Sequence, residues 1–145
     1  MKFIVALSCI LFSFSVYAET FALLAHNGKF VTARPDGKLD ANSSHVRGWE
    51  KFELLDLGDG KVALGTYHDT YISAFDGGGD VLNNKAPHIK NWETFKIIRL
   101  DGNKVAFQTY NGKHYINVAL HEDSKKLTAK APHIRGWETF TLVKP

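Results

Sequence analysis

Apolar and polar residues alternate in short runs that recur at three places along the chain. In each run an alanine stands between two larger apolar residues, and the runs are Phe21-Ala22-Leu23, Val62-Ala63-Leu64 and Val105-Ala106-Phe107. Alternation with a period of two is typical of a β-strand that buries one face. We therefore expect three equivalent strands, each of which begins a copy of the same unit.

Three further strands are predicted in each unit, separated by polar turns. The second strands cover residues 30–33, 71–74 and 115–118. The third strands are centred on leucines that stand six residues before a repeated histidine: Leu39, Leu82 and Leu127. The fourth strands place large apolar residues inward in alternation: Phe52 and Leu54, Phe95 and Ile97, and Phe140 and Leu142.

A repeated element joins the third and fourth strands, at residues 45–52, 88–95 and 133–140. It reads His, aliphatic residue, base, Gly or Asn, Trp, Glu, any residue, Phe, and its Trp residues are separated by 43 and then 45 residues. Twelve short strands in three equivalent sets of four predict an all-β chain with the β-trefoil fold, in which six strands close a barrel and three hairpins cap it. The repeats span about 20–60, 61–103 and 104–145.

The start of the chain predicts export. An apolar run over residues 3–16 leads into Val16-Tyr17-Ala18, which fits the site that a signal peptidase reads. We expect a secretory signal peptide over residues 1–18 and a single domain over residues 19–145, located outside the cell or in the periplasm. The run is short for a membrane span. The only cysteine, Cys9, lies in this leader, so the mature domain would contain no disulfide.

Charge and motifs exclude several classes of function. The formal net charge of +3 falls to about +2 without the leader, and acids and bases are interspersed along the chain. No basic block is present, so we expect no nucleic-acid partner. Nucleophile elbows and zinc-protease motifs are absent as well. We therefore expect a monomeric protein that is not an enzyme and that needs no metal or cofactor.

Most of the repeated element is predicted to be structural. Its Trp and Phe residues are in register with a repeat and are expected in the core. Its carboxylates are expected to be partly buried and to accept backbone N–H groups of the preceding turn: Glu50, Glu93 and Glu138. Its bases are most simply solvated: Arg47, Lys90 and Arg135.

The repeated histidines, His45, His88 and His133, allow three interpretations. Each imidazole could hydrogen-bond a backbone carbonyl, contact a ligand, or join the other two in a metal site. A zinc site needs the three rings to converge within about 2.1 Å of one point. The spacing of the residues does not decide among these alternatives.

A contact surface is predicted at the turn after the first strand of each repeat. A ring stands there in every copy: His26, Tyr67 and Tyr110. Polar residues stand beside the rings: Asn27, His68, Asp69 and Asn111. A planar ring next to an amide or carboxylate is how a shallow site binds a sugar, because the ring stacks on C–H groups while the polar group takes hydroxyls. The alternative is that these rings only cover the mouth of the barrel.

The runs Lys-Val-Ala-Leu (61–64), Tyr-Ile-Ser-Ala (71–74) and Trp-Glu-Thr-Phe (92–95) give the chain a family resemblance. It resembles the fascin-like β-trefoil proteins of the actin-crosslinking superfamily. That group includes actin-crosslinking domains and modules attached to carbohydrate-active enzymes. The Gln-x-Trp signature of ricin-type lectins is absent, so their sugar-binding residues do not carry over.

Two functions follow for an exported trefoil domain with this pattern. The first is a glycan-binding or polysaccharide-binding module with up to three sites, which export, the turn aromatics and the threefold repeat favour. The second is a protein that binds or bundles filamentous actin, which the resemblance implies.

Overall fold

All four strands predicted for each repeat form in the computed structural model, which describes residues 18–119 and 121–145. The β-trefoil prediction is confirmed. The strands are β1 (Ala18–Leu24), β2 (Phe30–Ala33), β3 (Leu39–Ser43), β4 (Phe52–Gly58), β5 (Lys61–Gly65), β6 (Tyr71–Ser73), β7 (Asn83–Ala86), β8 (Phe95–Arg99), β9 (Lys104–Thr109), β10 (Tyr115–Val118), β11 (Leu127–Ala131) and β12 (Phe140–Val143).

Six of these strands close a barrel, because each pairs antiparallel with two others. β1 pairs with β4 and β12, β5 with β4 and β8, and β9 with β8 and β12. The other six strands form the hairpins β2–β3, β6–β7 and β10–β11. Closure leaves the barrel strands without a free edge at which another chain could pair.

Backbone hydrogen bonds join the three hairpins into a cap. The Ala41 N–H donates to the Lys125 carbonyl at 3.0 Å, and the Leu82 N–H donates to the Leu127 carbonyl at 3.1 Å. The Asn84 N–H reaches back to the Gly37 carbonyl at 2.9 Å. Each hairpin is therefore held by another repeat, as expected for units that cannot bury their apolar faces alone.

The core contains the same positions from each repeat. The phenylalanines that begin the fourth strands are buried, as predicted: Phe52, Phe95 and Phe140. The leucines predicted at the centres of the third strands are buried too: Leu39, Leu82 and Leu127. They lie at the starts of those strands instead, since β3 and β11 begin at Leu39 and Leu127 and β7 begins at Asn83. The alanines of the opening runs are buried as well, although the main core cluster lies on the other face of those strands: Ala22, Ala63 and Ala106. The first strands are thus covered on both faces at their midpoints.

The predicted signal peptide lies outside the described residues, except for Ala18. That residue begins β1 and pairs with Leu55 of β4. Cleavage after Ala18 would therefore remove one terminal pair and leave the rest of the strand intact. Among residues 18–119 and 121–145, no helix is long and apolar enough to cross a bilayer.

A short 3-10 turn precedes the last strand of each repeat and ends on the repeated glutamate. The turns are Gly48–Glu50, Asn91–Glu93 and Gly136–Glu138. Each glutamate is buried, and its Oε1 accepts the backbone N–H of the residue three positions earlier, at 2.7–2.9 Å. The predicted role of these carboxylates is confirmed.

In two repeats the second carboxylate oxygen ties this turn to the cap. Glu50 Oε2 accepts the hydroxyl of Thr32 on β2 at 2.7 Å. Glu93 Oε2 accepts the hydroxyl of Ser73 on β6 at 2.5 Å. Hydrogen bonds to a carboxylate are stronger than those between neutral groups. Each of these two carboxylates therefore stabilises the contact between the 3-10 turn and the hairpin of its repeat.

We predict that Glu93→Ala lowers the free energy of unfolding by about 2–4 kcal/mol, because the Ser73 hydroxyl and the Lys90 N–H lose a charged acceptor away from water. Urea denaturation followed by circular dichroism measures the change. Glu53→Ala removes an exposed carboxylate from β4 and serves as the control, with an expected change within about 0.5 kcal/mol. Equal losses in the two variants would contradict the proposed link.

Candidate functional site

The tryptophan of the repeated element lies on the outside of the protein in two of the three repeats. Trp49 is 40% exposed and Trp92 is 41% exposed, whereas Trp137 is half-buried against the core. The prediction of core tryptophans is therefore wrong for the first two. In each 3-10 turn the glutamate is the buried residue, and the side chains that cover the indole differ from repeat to repeat.

In the third repeat a ring from the first repeat covers the tryptophan. His26 lies 5.3 Å from Trp137 between ring centroids, in an edge-to-face arrangement. Its imidazole sits over Gly136, where an added Cβ would come within 2.9 Å of His26 Cε1. The glycine at position 136 leaves room for this approach, which covers part of the indole.

Tyr67, the turn residue of the second repeat that corresponds to His26, lies over Gly48 of the first repeat. An added Cβ at Gly48 would come within 2.8 Å of Tyr67 Cε1. Tyr67 is nevertheless 65% exposed, and with Trp49 and His45 it lines a groove of about 410 Å³. Trp49 also meets His68, at a centroid distance of 5.8 Å. The structure thus brings together Tyr67 and His45, which the sequence placed in separate candidate groups.

The second repeat has a different arrangement, and Asn91 stands where the others have glycine. A Cβ at this position would meet a ring placed as Tyr67 is placed over Gly48, and the Tyr110 ring lies 5.4 Å from Lys61 Nζ. Trp92 is paired with Phe75 of its own repeat, at a centroid distance of 4.9 Å and an interplanar angle of 66°. Phe75 is itself 61% exposed.

Several backbone contacts hold this aromatic pair in place. The Ala74 N–H donates to the Trp92 carbonyl at 2.9 Å, which fixes β6 against the 3-10 turn. Phe75 begins a second 3-10 turn, Phe75–Gly77, and the Asn111 amide donates to the Gly77 carbonyl at 3.0 Å. From Asp76 to Gly79 every φ is positive, a conformation that glycine adopts readily. The turn that follows Phe75 is therefore compact and is held by a hydrogen bond from the third repeat.

The aromatic pair lies in a groove of about 730 Å³. Its lining combines the two rings with amide, imidazole and ammonium groups: Ser73, Phe75, Asn83, Lys85, Ala86, Pro87, His88, Lys90, Asn91, Trp92 and Glu93. Asn91, Lys85, His88 and Lys90 are exposed at its surface. The groove therefore offers an apolar platform with polar groups around it.

The polar turn residues predicted to bind a ligand mostly bond to the protein itself. Asn27 Nδ2 donates to the Ala41 carbonyl at 3.0 Å, and His68 Nε2 donates to the Ala33 carbonyl at 2.7 Å. Asn111 is used as described above. These three side chains fix their turns against the hairpins, and ligand contact by them stays a prediction.

Asp69 serves its turn in another way. It has a φ of 59°, where the equivalent residues Gly28 and Gly112 have 78° and 74°. Its exposed carboxylate lines a second shallow pocket beside Tyr67.

The three repeated histidines are exposed and lie apart. His45 and His88 line the grooves of the first and second repeats, while His133 lines neither. In the described part of the chain no three His, Cys, Asp or Glu side chains are placed to hold a metal ion. Nor does any of these three imidazoles hydrogen-bond a carbonyl there. Of the three interpretations, their exposure favours ligand contact for His45 and His88.

Residues 53–145, more than half of the chain, match the family model described as "Domain of unknown function (DUF7910)". The chain belongs to this family. A comparison with curated proteins finds no match. The resemblance to fascin-like proteins is not tested by the family match and stays a prediction.

Two solved structures are similar to this DUF7910 chain in fold. The designed 3-fold symmetric protein ThreeFoil has a TM-score of 0.75 and 15% identity, over 86% of this chain and 97% of that one. The exo-β-1,3-galactanase 1,3Gal43A of Clostridium thermocellum has a TM-score of 0.76 and 13% identity, over 87% of this chain and 30% of the enzyme. At these identities the likeness shows a shared trefoil fold.

Sequence reasoning did not identify Phe75 and Trp92 as site residues of this DUF7910 protein. A signal for both was present in the departures from the repeat. Phe75 stands where the other repeats have Arg34 and Ala119, and Asn91 stands where they have glycine. Arg34 donates two hydrogen bonds to the Asp40 carboxylate, which raise the pKa of its guanidinium. Neither Arg34 nor Ala119 offers an aromatic ring to the tryptophan of its repeat.

We predict that acrylamide quenches the fluorescence of Trp49 and Trp92 more strongly than that of Trp137. Three variants that each keep one tryptophan, with phenylalanine at the other two positions, report this by their quenching constants. Because His26 shields Trp137, His26→Ala should raise the constant of the variant that keeps only Trp137. Three equal constants would contradict the described burial.

Proposed function

We propose that this DUF7910 protein is a non-enzymatic carbohydrate-binding module whose main site is the groove of the second repeat. The observation that carries the proposal is the exposed Phe75–Trp92 pair. Two large rings beside one another at a protein surface are costly to hydrate, since each can bury 150–250 Å² when covered. A partner that covers them is therefore expected.

A pyranose ring fits this site by its two kinds of surface. Its C–H faces stack on aromatic rings, and its hydroxyls take hydrogen bonds from polar groups at the rim. Here the rim supplies Asn83, His88 and Asn91. The alternation of apolar platform and polar rim favours a sugar over a purely apolar ligand.

The carboxylate content of the groove favours binding over hydrolysis. Glycoside hydrolysis ordinarily uses two carboxyl groups about 5–9.5 Å apart. The groove is lined by one, Glu93, and both of its oxygens already accept hydrogen bonds from the protein. We infer that the protein holds its saccharide without cleaving it.

Similar folds are in keeping with this proposal. A segment that makes up 30% of an exo-β-1,3-galactanase has the same trefoil fold as this chain. The repeats are not equivalent as sites, however. The groove around Trp49 is smaller, and His26 covers Trp137, so we expect one principal site, a weaker second one and none in the third repeat.

The actin-binding alternative rests on the family resemblance, and co-sedimentation with filamentous actin tests it. Export likewise remains a prediction from the leader. Mass spectrometry of protein recovered from outside the cytoplasm tests it: a mass that matches a chain beginning at Glu19 would confirm the predicted cleavage.

We predict that Trp92→Ala and Phe75→Ala each weaken saccharide binding at least about tenfold, a loss of about 1.4 kcal/mol, because each removes a stacking surface. Isothermal titration calorimetry against a panel of soluble oligosaccharides, together with pull-down on insoluble polysaccharides, measures binding. Both side chains are exposed, so the melting temperatures should change little.

The matched control is Trp49→Ala, which removes an equally exposed indole from the same element of the first repeat. It should leave the principal affinity within about threefold of that of the parent protein. Absence of binding to every saccharide would overturn the proposal, and a larger loss in Trp49→Ala than in Trp92→Ala would move the site to the first repeat.

A further inference from the structure

We propose that the groove of the second repeat selects a saccharide that carries an anionic group, a carboxylate or a sulfate ester. This inference rests on the proposed carbohydrate binding and names the class of sugar. It is carried by two lysines, Lys85 and Lys90, that line the groove beside the aromatic pair.

The main chain and the surroundings restrict both lysines. The backbone N–H of Lys90 is held by Glu93 Oε1 at 2.9 Å, so its Cα is fixed at the start of the 3-10 turn. The backbone N–H of Lys85 is held by Asn83 Oδ1 at 2.9 Å. The aliphatic part of Lys85 lies across Gly37, where an added Cβ would come within 2.4 Å of Lys85 Cε. The stem of Lys85 is thus packed against Gly37, so part of the side-chain entropy that this lysine would lose on binding is already lost.

Neither ammonium group has an acidic partner within the described residues. The ion pairs found there are Arg34–Asp40, Lys38–Asp36, Lys126–Glu122 and Lys144–Glu19. The carboxylate in the groove wall, Glu93, is buried and receives its hydrogen bonds from the Lys90 N–H and the Ser73 hydroxyl. The groove therefore presents two cations with no exposed anion in its lining, and an anionic ligand group supplies the missing partner.

The first repeat lacks this combination. Asn42 stands in place of Lys85, and its amide donates to the Ser124 carbonyl at 2.6 Å. Beside Tyr67, the exposed carboxylates of Glu53 and Asp69 line the adjoining pocket. An anionic sugar would meet Arg47 in the groove and Lys51 in the adjoining pocket, but also the two carboxylates, which offset those cations. The selectivity therefore belongs to the second repeat.

Titration calorimetry distinguishes this inference from the proposed function itself. The ligands are oligogalacturonate, a sulfated galactan oligosaccharide, and neutral galactan and glucan oligosaccharides of the same length, each titrated into the parent protein. We expect at least one anionic ligand to bind at least about tenfold more tightly than the neutral ones. Its affinity should fall several-fold between about 50 and 500 mM salt, since exposed charges are screened. The preferred anionic ligand identifies the group.

The variants are Lys85→Gln, Lys90→Gln and the double variant, with Lys130→Gln as the matched control. Lys130 is the exposed lysine at the position equivalent to Lys85 in the third repeat. The double variant should bind anionic and neutral ligands equally, while Lys130→Gln keeps the preference. Trp92→Ala should weaken both classes.

Three outcomes count against the inference. Neutral ligands that bind as tightly as anionic ones, with binding still lost in Trp92→Ala, overturn anion selection and leave the carbohydrate function standing. Anionic binding that Trp92→Ala does not weaken overturns the assignment to this groove. No binding in any arm overturns the carbohydrate function and this inference with it.

Discussion

The fold depends on one buried carboxylate in each repeat. A 3-10 turn leaves backbone N–H groups without partners inside the turn, and burial makes unpaired donors costly. Glu50, Glu93 and Glu138 each accept such a donor, and the first two also accept a hydroxyl from a cap hairpin. The carboxylate thus connects barrel and cap. In the first two repeats the tryptophan beside it is exposed, so the aromatic surface available for binding lies next to the interaction that stabilises the fold.

Departures from threefold symmetry decide what each copy of the element can do. A glycine before the tryptophan lets a ring from the following repeat lie across the turn, as Tyr67 does over Gly48 and His26 over Gly136. In the third repeat that ring hides the indole. Asn91 prevents such an approach in the second repeat, and Phe75 takes the place beside Trp92. A trefoil core tolerates these exchanges because all of them lie outside the buried positions that the repeats share.

The same departures give the second repeat its charge. Lys85 and Lys90 line the groove together with Glu93. The Glu93 carboxylate is buried, and its two oxygens accept hydrogen bonds from the Ser73 hydroxyl and the Lys90 N–H. The first repeat has an asparagine at the equivalent position and exposed carboxylates near its tyrosine. Two grooves built from the same eight-residue element therefore differ in the balance of charge around their rings: the second has two lysines and no exposed carboxylate in its lining, whereas carboxylates near the first offset its cations.

The sequence by itself determined the architecture. Period-two alternation located the strands, the threefold repeat implied the trefoil, and register with the repeat identified the core phenylalanines and the bonded glutamates. Only the tertiary structure decided which side chains are free for a ligand. Asn27, His68 and Asn111 looked available but bond to carbonyls 14, 35 and 34 residues away, whereas Trp92 looked buried and is exposed. The physical reason is that burial of a strand residue follows from its own alternation, whereas exposure at a turn depends on which distant segment is packed across it.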